Sequence, residues 1–234
     1  VNRIVMSTLN KIFFAFLVIA FSGSSHAALI TTSGSSVQFT YDDSLVGFFG
    51  SPIVSGDSLT FAPSNFKATS VGSNGGTFSD STFVVQIDSI FGHVLDSVAL
   101  TEKGIYSLRG VGAEVLATGA LTSVDLTAPN PVLTEQMASF VVDATGTTSL
   151  STNNPWTASA NLNFDPKSTS VSVSIQNLLI ALTSNAGEIA NINKSVIGLN
   201  AVTSVTAVPL PLAVWMFGGG LMGMLSMAKR RKLI

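Results

Sequence analysis

The side chains that could carry out chemistry in this chain are few, and the densest set surrounds His93. Residues 88–97 read Asp-Ser-Ile-Phe-Gly-His-Val-Leu-Asp-Ser, so acids, hydroxyls and an imidazole lie close together. A serine nucleophile needs a histidine base that a carboxylate orients, and a sharp turn beside oxyanion donors. The chain has no Gly-x-Ser-x-Gly motif to build that turn. The sequence therefore favours a turn or rim position for His93, and it predicts no catalytic residue.

The residue types of the chain give little support for a bound metal or cofactor. The chain has no cysteine and only two histidines, which disfavours zinc, and no Asp-x-Asp-x-Asp-Gly loop for calcium. No glycine-rich phosphate loop precedes a helix. A glycosidase needs two carboxylates at a fixed separation, but thirteen acidic residues guarantee many pairs, so a pair alone carries no information. We expect no metal and no cofactor.

Aromatic side chains offer a different chemistry, because a sugar can stack on an exposed ring beside polar groups. Phe48 and Phe49 lie between Gly47 and Gly50, which predicts a loop that exposes the pair. Trp156 begins an alternating segment, so core burial is the favoured interpretation and glycan contact the alternative. The candidate glycan contacts are therefore Phe48, Phe49 and Trp156.

The charge is distributed unevenly along the chain. All thirteen acidic residues lie between positions 42 and 188, and that stretch extended to position 194 holds only five basic ones, for a net charge of −8. The remaining six basic residues lie near the two ends. A surface of this sign repels phosphate backbones, which argues against nucleic-acid binding.

The sequence predicts that the candidate residues lie on or between β-strands. Residues 156–164 alternate between apolar and small or polar types, and residues 170–179 do the same, a two-residue period typical of half-buried antiparallel strands. A turn signal at 165–168 separates them, so we expect these two strands to form a hairpin. Glu188 to Lys194 is expected to return as a further strand.

Shorter strands are expected along the rest of the body, with turns every eight to twelve residues. A helical turn is expected at 134–137. The expected strands cover 36–41, 58–62, 66–71, 82–91, 95–102, 106–108, 114–126, 139–144 and 196–205. This spacing predicts an all-β fold, a single antiparallel, jelly-roll-like β-sandwich domain over residues 28–206.

The N-terminus has the pattern of a secretory signal. Two basic residues, Arg3 and Lys11, precede ten apolar residues, and a small polar stretch follows. Ser25 and Ala27 occupy the −3 and −1 positions of a signal-peptidase site, which makes Ala28 the first mature residue. Residues 1–27 are therefore expected to be a signal peptide, with the Sec machinery and signal peptidase as partners.

The C-terminus has the pattern of a membrane anchor. Residues 212–228 form an uncharged apolar run that is expected to be a transmembrane helix, and the basic tail 229–232 follows. Positive charge stays on the cytoplasmic side, so the body is expected outside the cytoplasm.

The last 27 residues, 208–234, also carry a specific pattern. It combines a Pro-containing lead-in, an aromatic and glycine-rich helix, and a basic end. The matching residues are Val208, Pro209, Leu210, Pro211, Ala213, Trp215, Phe217, Gly220, Leu221, Gly223, Arg230, Arg231 and Lys232. This pattern resembles the PEP-CTERM sorting signal in its VPLPA variant. Two positions depart from it, because Leu210 stands where the type motif has Glu and Leu212 where this variant has Ala.

The resemblance implies a route and a setting. PEP-CTERM proteins are exported, held transiently in the inner membrane, and cut near the proline motif by exosortase, a membrane transpeptidase. They then reach the cell surface or extracellular matrix of bacteria that make exopolysaccharide. Residues 100–108, Leu-Thr-Glu-Lys-Gly-Ile-Tyr-Ser-Leu, also resemble a run in the bodies of such proteins, with no implied activity.

Three functions remain open from the sequence. The leading interpretation is a non-enzymatic surface or matrix protein associated with exopolysaccharide or biofilm. The alternatives are a carbohydrate-binding, lectin-like module and an exported hydrolase.

Overall fold

The computed structural model describes residues 29–127, 136–206, 216–217 and 219–222. The described body consists of strands and two short 3-10 turns, Asp43–Leu45 and Gly47–Phe49. The strands are β1 Leu29–Ser33, β2 Val37–Asp42, β3 Ile53–Ser55, β4 Ser58–Phe61, β5 Lys67–Val71, β6 Gly75–Ser89, β7 His93–Arg109, β8 Glu114–Asp125, β9 Gln136–Thr145, β10 Ser151–Ser168, β11 Ser170–Thr183 and β12 Ile189–Val205.

The strands form two antiparallel sheets. Sheet A has the order β1-β2-β6-β11-β8-β9, and sheet B has the order β10-β7-β12-β4-β3, with β5 also paired to β12. One continuous apolar core draws residues from both sheets, which therefore pack face to face. The expected all-β fold and the antiparallel β-sandwich are confirmed.

Alternation along the strands decides which side chains enter the core. On β11, Val171, Val173 and Ile175 are fully buried while the residues between them are half-buried. β10 repeats the pattern from Trp156 to Phe164. Because successive side chains point to opposite faces of a sheet, each strand buries one phase against the other sheet and presents the other phase to solvent.

The expected hairpin between the two most regular strands is wrong. β10 pairs with β7 in sheet B, whereas β11 pairs with β6 and β8 in sheet A. The chain crosses from one sheet to the other at Ser168–Ser170, where the Ser168 hydroxyl donates to Asp125 Oδ1 at 2.8 Å and bonds the Ser170 backbone. Alternation correctly predicted both strands, but it does not determine whether the following turn stays in one sheet.

Other boundaries also differ from expectation. The two segments expected at 95–102 and 106–108 are one strand, β7, and those expected at 188–194 and 196–205 are one strand, β12, with a bulge at Ser195. A bulge inserts one residue without ending the pairing, so a break in alternation need not end a strand. Of the helical turn expected at 134–137, residues 136–137 begin β9, and 134–135 lie outside the described residues.

A cluster of phenylalanines fills one end of the core. Phe49 packs edge-on against Phe61 at 5.4 Å between ring centroids, and Phe61 packs against Phe83 at 4.8 Å. All three rings are essentially inaccessible to solvent. Edge-to-face geometry of this kind adds to the free energy gained by apolar burial.

The sorting signals fall mostly outside the described residues. This holds for the signal peptide, Ser25, Ala27 and Ala28, for residues 207–215, which include Val208–Pro211 and Trp215, and for the end of the chain from Gly223. Residues 216–217 and 219–222 are helical and solvent-exposed. Within the described part of the chain, no helix has the length and apolarity needed to cross a membrane.

Candidate functional site

An open groove of about 800 Å³ crosses the solvent face of sheet A. We call it the outer groove. Its lining comes from four neighbouring strands, β6, β11, β8 and β9, so it runs across the strands rather than along one of them. The residues that give it its chemical character are Phe78, Asp80, Thr118, Ser139, Gln176 and Leu178.

Cross-strand register brings these side chains together. Asp80 lies opposite Leu178, and Leu178 lies opposite Thr118, so these three form one row across the sheet. Gln176 lies in the next row, opposite Ala120, which in turn lies opposite Ser139. Directly opposed side chains on one face are about 5 Å apart, so each row presents a near-continuous surface to a ligand.

The outer groove combines an aromatic ring with hydrogen-bonding groups. Phe78 is 73% exposed at one end. Asp80 supplies a carboxylate, Gln176 an amide, and Thr118 and Ser139 hydroxyls. This mixture suits a ligand with one apolar face and many hydroxyl groups.

The aromatic residues chosen from the sequence lie elsewhere. Phe49 is fully buried, which corrects the expectation that its loop exposes it. Trp156 is nearly fully buried, as the favoured interpretation of core burial expected, so neither ring is available to a glycan. Trp156 instead donates from Nε1 to the backbone oxygen of Asn193 at 3.1 Å. Phe48 is 44% exposed but packs on Phe66 with ring centroids 5.7 Å apart, and it does not line the outer groove.

The side chains around His93 do not assemble as a triad. The Asp88 carboxylate accepts hydrogen bonds from Gln86 and Ser170, and the Asp96 carboxylate is bonded to Lys167 and Ser204. Neither acid is bonded to His93, whose Nδ1 is buried without a hydrogen-bond partner among the described residues. His93 begins β7 and pairs with Val205.

A second site lies inside the sandwich, where three polar side chains meet between the sheets. We call Glu102, Asn177 and Lys194 the buried cluster. Lys194 Nζ is bonded to Glu102 Oε2, and Asn177 Nδ2 donates to Glu102 Oε1 at 2.8 Å. Glu102 is completely buried, and Lys194 and Asn177 are at most 4% exposed. Asn177 Oδ1 has no hydrogen-bond partner within the described part of the chain.

Burial shifts the acid–base behaviour of the buried cluster toward its neutral forms. Desolvation raises the pKa of Glu102, although Lys194 and Asn177 oppose the rise. Desolvation also lowers the pKa of Lys194 to about 8, against the attraction of Glu102. Both shifts reflect the cost of holding a charge away from water.

Aromatic rings surround the ammonium group. Lys194 Nζ lies 5.2 Å from the centroid of Phe66, 5.6 Å from that of Phe140 and 5.7 Å from that of Trp156. Ring faces attract a cation, so they offset part of the desolvation of Lys194. They also exclude water from the buried cluster.

Two glycines make room for this packing. A Cβ at Gly104 would lie 2.0 Å from the backbone oxygen of Asn193 and 2.5 Å from the Trp156 ring. A Cβ at Gly119 would lie 2.6 Å from Asn177 Oδ1. Real side chains do not approach so closely. We infer that glycine is required at both positions for the indole and the amide to occupy their places.

A further carboxylate, Glu188, holds the loop between β11 and β12. It accepts hydrogen bonds from the backbone nitrogens of Gly112, Ser184 and Asn185, and from the Asn185 side chain. The Asn185 amide and the backbone donors lower the pKa of Glu188 to about 2. These bonds tie the β11–β12 loop to the β7–β8 loop.

Sequence reasoning missed the outer groove and the buried cluster. The signal for the buried cluster was present, because Lys194 and Asn177 share the inward phase of their strands with apolar residues such as Ile192 and Ile175. Glu102 follows the buried Leu100 in the same way. A polar residue on a buried phase is the pattern that would have found them.

Comparisons with known proteins identify no relatives in sequence. No protein-family model matches the chain, and no curated protein sequence matches it.

Several solved structures are distantly similar to the chain. The chain is similar to Eiger TNF from S. frugiperda, with 11% identity, a TM-score of 0.26, and coverage of 62% of this chain and 96% of that one. It is also similar to carbohydrate-binding modules of the β-sandwich superfamily, with 14% identity, a TM-score of 0.26, and coverage of 79% and 60%. A third is TmCBM61 in complex with β-1,4-galactotriose, with 11% identity, a TM-score of 0.21, and coverage of 76% and 90%. Such values carry no argument about function.

Proposed function

We propose that this chain is a non-enzymatic, exported surface or matrix protein whose β-sandwich binds extracellular polysaccharide in the outer groove. The observation that carries the proposal is an exposed ring, Phe78, at one end of a groove in which hydroxyl, amide and carboxylate groups lie beside Leu178 and Ile180. A sugar ring stacks its C–H face on an aromatic ring and offers hydroxyls to polar neighbours.

The dimensions of the outer groove suit a chain-like ligand. It crosses four strands, and three strand spacings amount to about 14 Å. It is open to solvent along that width rather than closed into a pocket. An open groove admits an internal stretch of a long polymer, whereas a closed pocket would admit only an end.

The lining favours binding over hydrolysis. Asp80 is the one carboxylate among the described residues that line the outer groove. Glycoside hydrolysis uses two carboxyl groups that flank the scissile bond. The exported hydrolase that the sequence left open therefore receives no support from the groove.

Charge indicates the kind of polysaccharide. Asp80 lines the outer groove, and Asp143 and Glu114 lie in the adjoining rows of the same face. With a net charge of −8 over the body of the chain, this surface repels anionic polymers. We therefore expect a neutral polysaccharide to be preferred.

The strand order supports a jelly-roll arrangement of the domain. Strands β5, β7, β10 and β12 lie in sheet B, and β6, β8, β9 and β11 lie in sheet A. Successive strands thus mostly alternate between the sheets, as two interleaved Greek keys require. A domain of this kind presents broad sheet faces on which a ligand can bind without a conformational change.

Delivery to the surface is part of the proposal and rests on the sequence. A signal peptide at 1–27 brings the chain to the Sec machinery and signal peptidase. The PEP-CTERM-like signal at 208–234 holds it transiently in the inner membrane for an exosortase-type transpeptidase. The body then reaches the cell surface or the extracellular matrix, where exopolysaccharide is available.

Affinity electrophoresis of the detergent-solubilised full chain tests the binding proposal. The gels contain a mixed-linkage β-glucan, a galactomannan, a xylan, a dextran, or the exopolysaccharide of the producing cells. We expect retardation by at least one neutral polymer. Phe78→Ala is expected to weaken this binding about tenfold, because the stacking contact is lost.

Phe91→Ala is the matched control, since Phe91 is fully exposed in the turn between β6 and β7, away from the outer groove. It should leave the retardation unchanged. A wild-type chain that no gel retards would refute the proposed function. Equal retardation of the Phe78→Ala and wild-type chains would refute the proposed site.

A further inference from the structure

The buried cluster places an amine beside a carboxamide in a dry interior. Lys194 Nζ and Asn177 Nδ2 are bonded to the two oxygens of one carboxylate, that of Glu102, so the amine and the amide are held as neighbours. Lys194 lies on β12 of sheet B and Asn177 on β11 of sheet A. The three side chains thus meet across the space between the sheets.

We propose that Lys194 and Asn177 form a covalent amide bond in the folded protein, with Glu102 transferring the protons. The product is an internal cross-link between the two sheets, made by the chain itself. Nothing in the proposed binding function requires it, so the two proposals stand separately.

The reaction needs no external reagent. The Lys194 Nζ lone pair attacks Asn177 Cγ, and the carbonyl electron pair moves onto Oδ1. Glu102 gives its proton to Nδ2 and takes one from Nζ. The Cγ–Nδ2 bond then breaks, the carbonyl re-forms, and ammonia leaves. One amine and one primary amide become one secondary amide and one ammonia, and Glu102 ends as it began.

The environment favours the reactive protonation states. An amine attacks only when it is neutral, and burial lowers the pKa of Lys194 to about 8. A carboxyl group donates a proton only when it holds one, and burial raises the pKa of Glu102. In an ordinary surface pair both groups stay charged, so neither requirement is met.

Geometry further favours the reaction over a permanent ion pair. The interacting groups are fixed by strand pairing on both sheets and by the rings of Phe66, Phe140 and Trp156, so no loop has to close. Held reactants gain a large effective concentration. The unpaired Asn177 Oδ1 is also accounted for, because the carboxyl group of Glu102 can donate to this oxygen in the product.

The cross-link would stabilise the fold of this chain as a disulfide stabilises the fold of many secreted proteins. The chain contains no cysteine, so no disulfide can join the sheets. A bond between residues 177 and 194 closes the segment that carries the β11–β12 connection. Closing a loop covalently restricts the unfolded chain and thereby stabilises the fold.

Peptide mass mapping of the full chain, purified in its folded form and then denatured, tests the proposal. A Glu-specific protease cuts after Glu135 and Glu188 and so separates Asn177 from Lys194. We expect the two peptides to remain joined. Their joint mass should be about 17 Da below the sum of the separate peptides, the mass of one ammonia.

Asn177→Asp distinguishes this chemistry from any other link. An aspartate would form the same amide with loss of water, so its joined species should lie about 18 Da below the sum of its own separate peptides. Asn177→Ala should release two separate peptides. Lys167→Met, at an exposed lysine, should leave the link intact.

Glu102→Gln tests the proton transfer separately from the link itself. It keeps the hydrogen-bonding shape but cannot exchange protons, so the joined fraction should grow about 100-fold more slowly after refolding, or not at all. Formation as fast as in the wild type would overturn the role of Glu102. Wild-type peptides that separate at their full sequence masses would overturn the cross-link, whatever the variants do.

Discussion

Two lysine–carboxylate pairs in this molecule have similar chemistry and opposite surroundings. Lys167 and Asp96 form a surface pair with 2.7 Å between Nζ and Oδ1, and their side chains are 52% and 29% exposed. Lys194 and Glu102 form a pair whose side chains are completely buried. The surface pair is open to solvent and has Ser204 as a further partner, whereas the buried pair has aromatic rings and Asn177.

Burial determines the protonation behaviour of such a lysine–carboxylate pair. Hydrogen bonds from Lys167 and Ser204 lower the pKa of Asp96, so that carboxylate stays charged. In the buried pair, desolvation raises the pKa of Glu102 and lowers that of Lys194. The same two functional groups therefore give a solvated ion pair at the surface and a proton-sharing, reactive pair in the core.

The largest expected effect follows from removing the buried amine. Lys194→Met leaves the fully buried Glu102 carboxyl group without its charged partner, with only the hydrogen bond from Asn177. Removing one member of a buried pair costs about 3–5 kcal/mol, and the variant also cannot form the amide. We expect the free energy of unfolding to fall by about 3 kcal/mol or more, as measured by urea denaturation of the full chain. If Lys194→Met lowered the free energy of unfolding no more than Lys167→Met does, burial would not distinguish the two pairs.

The smallest expected effect follows from the same substitution at the surface. Lys167→Met removes an exposed and salt-screened partner of Asp96, so we expect only a small fraction of the loss seen for Lys194→Met. Because the pKa of Asp96 is lowered on folding, its stabilising contribution is present above about pH 4 and is lost on further acidification. The Lys167→Met difference should therefore vanish in acid, as thermal melts across pH can show.

Most of the strands could be predicted from the sequence, although β1 and β3 were not expected. The assignment of the strands to sheets could not be predicted. The alternation of 156–164 and 170–179 predicted both β10 and β11. Alternation specifies which face of a strand is buried, and it carries no information about which strands are its neighbours. Residues 165–168 therefore looked like a hairpin turn, but they are the end of β10, and the chain changes sheets directly after them.

The outer groove could not be predicted, because its rows join residues far apart in sequence. Phe78, Leu178 and Ser139 lie on different strands, and only the register of the finished sheet brings them together. Phe49, in contrast, has glycine neighbours that predicted an exposed loop, but the Gly47–Phe49 turn directs its ring into the core. Turn composition predicts the turn and not the direction of each side chain.

The buried cluster was partly visible in the sequence. Glu102 and Gly104 both lie in the 100–108 run, and Lys194 and Asn177 interrupt apolar phases of alternating strands. The alternation places each of them on a buried phase, but it does not show which polar side chains meet. Only the packing of one sheet on the other shows that the three side chains meet.

Amine labelling of the unfolded chain tests the central claim most directly, since it compares the two lysines in one experiment. The full chain is denatured after folding, treated with an amine-reactive acylating reagent, and mapped by mass spectrometry. Unfolding exposes both side chains, so burial no longer protects either of them. We predict complete labelling of Lys167 and no labelling of Lys194, because its nitrogen is already an amide. Equal labelling of both lysines would contradict the account.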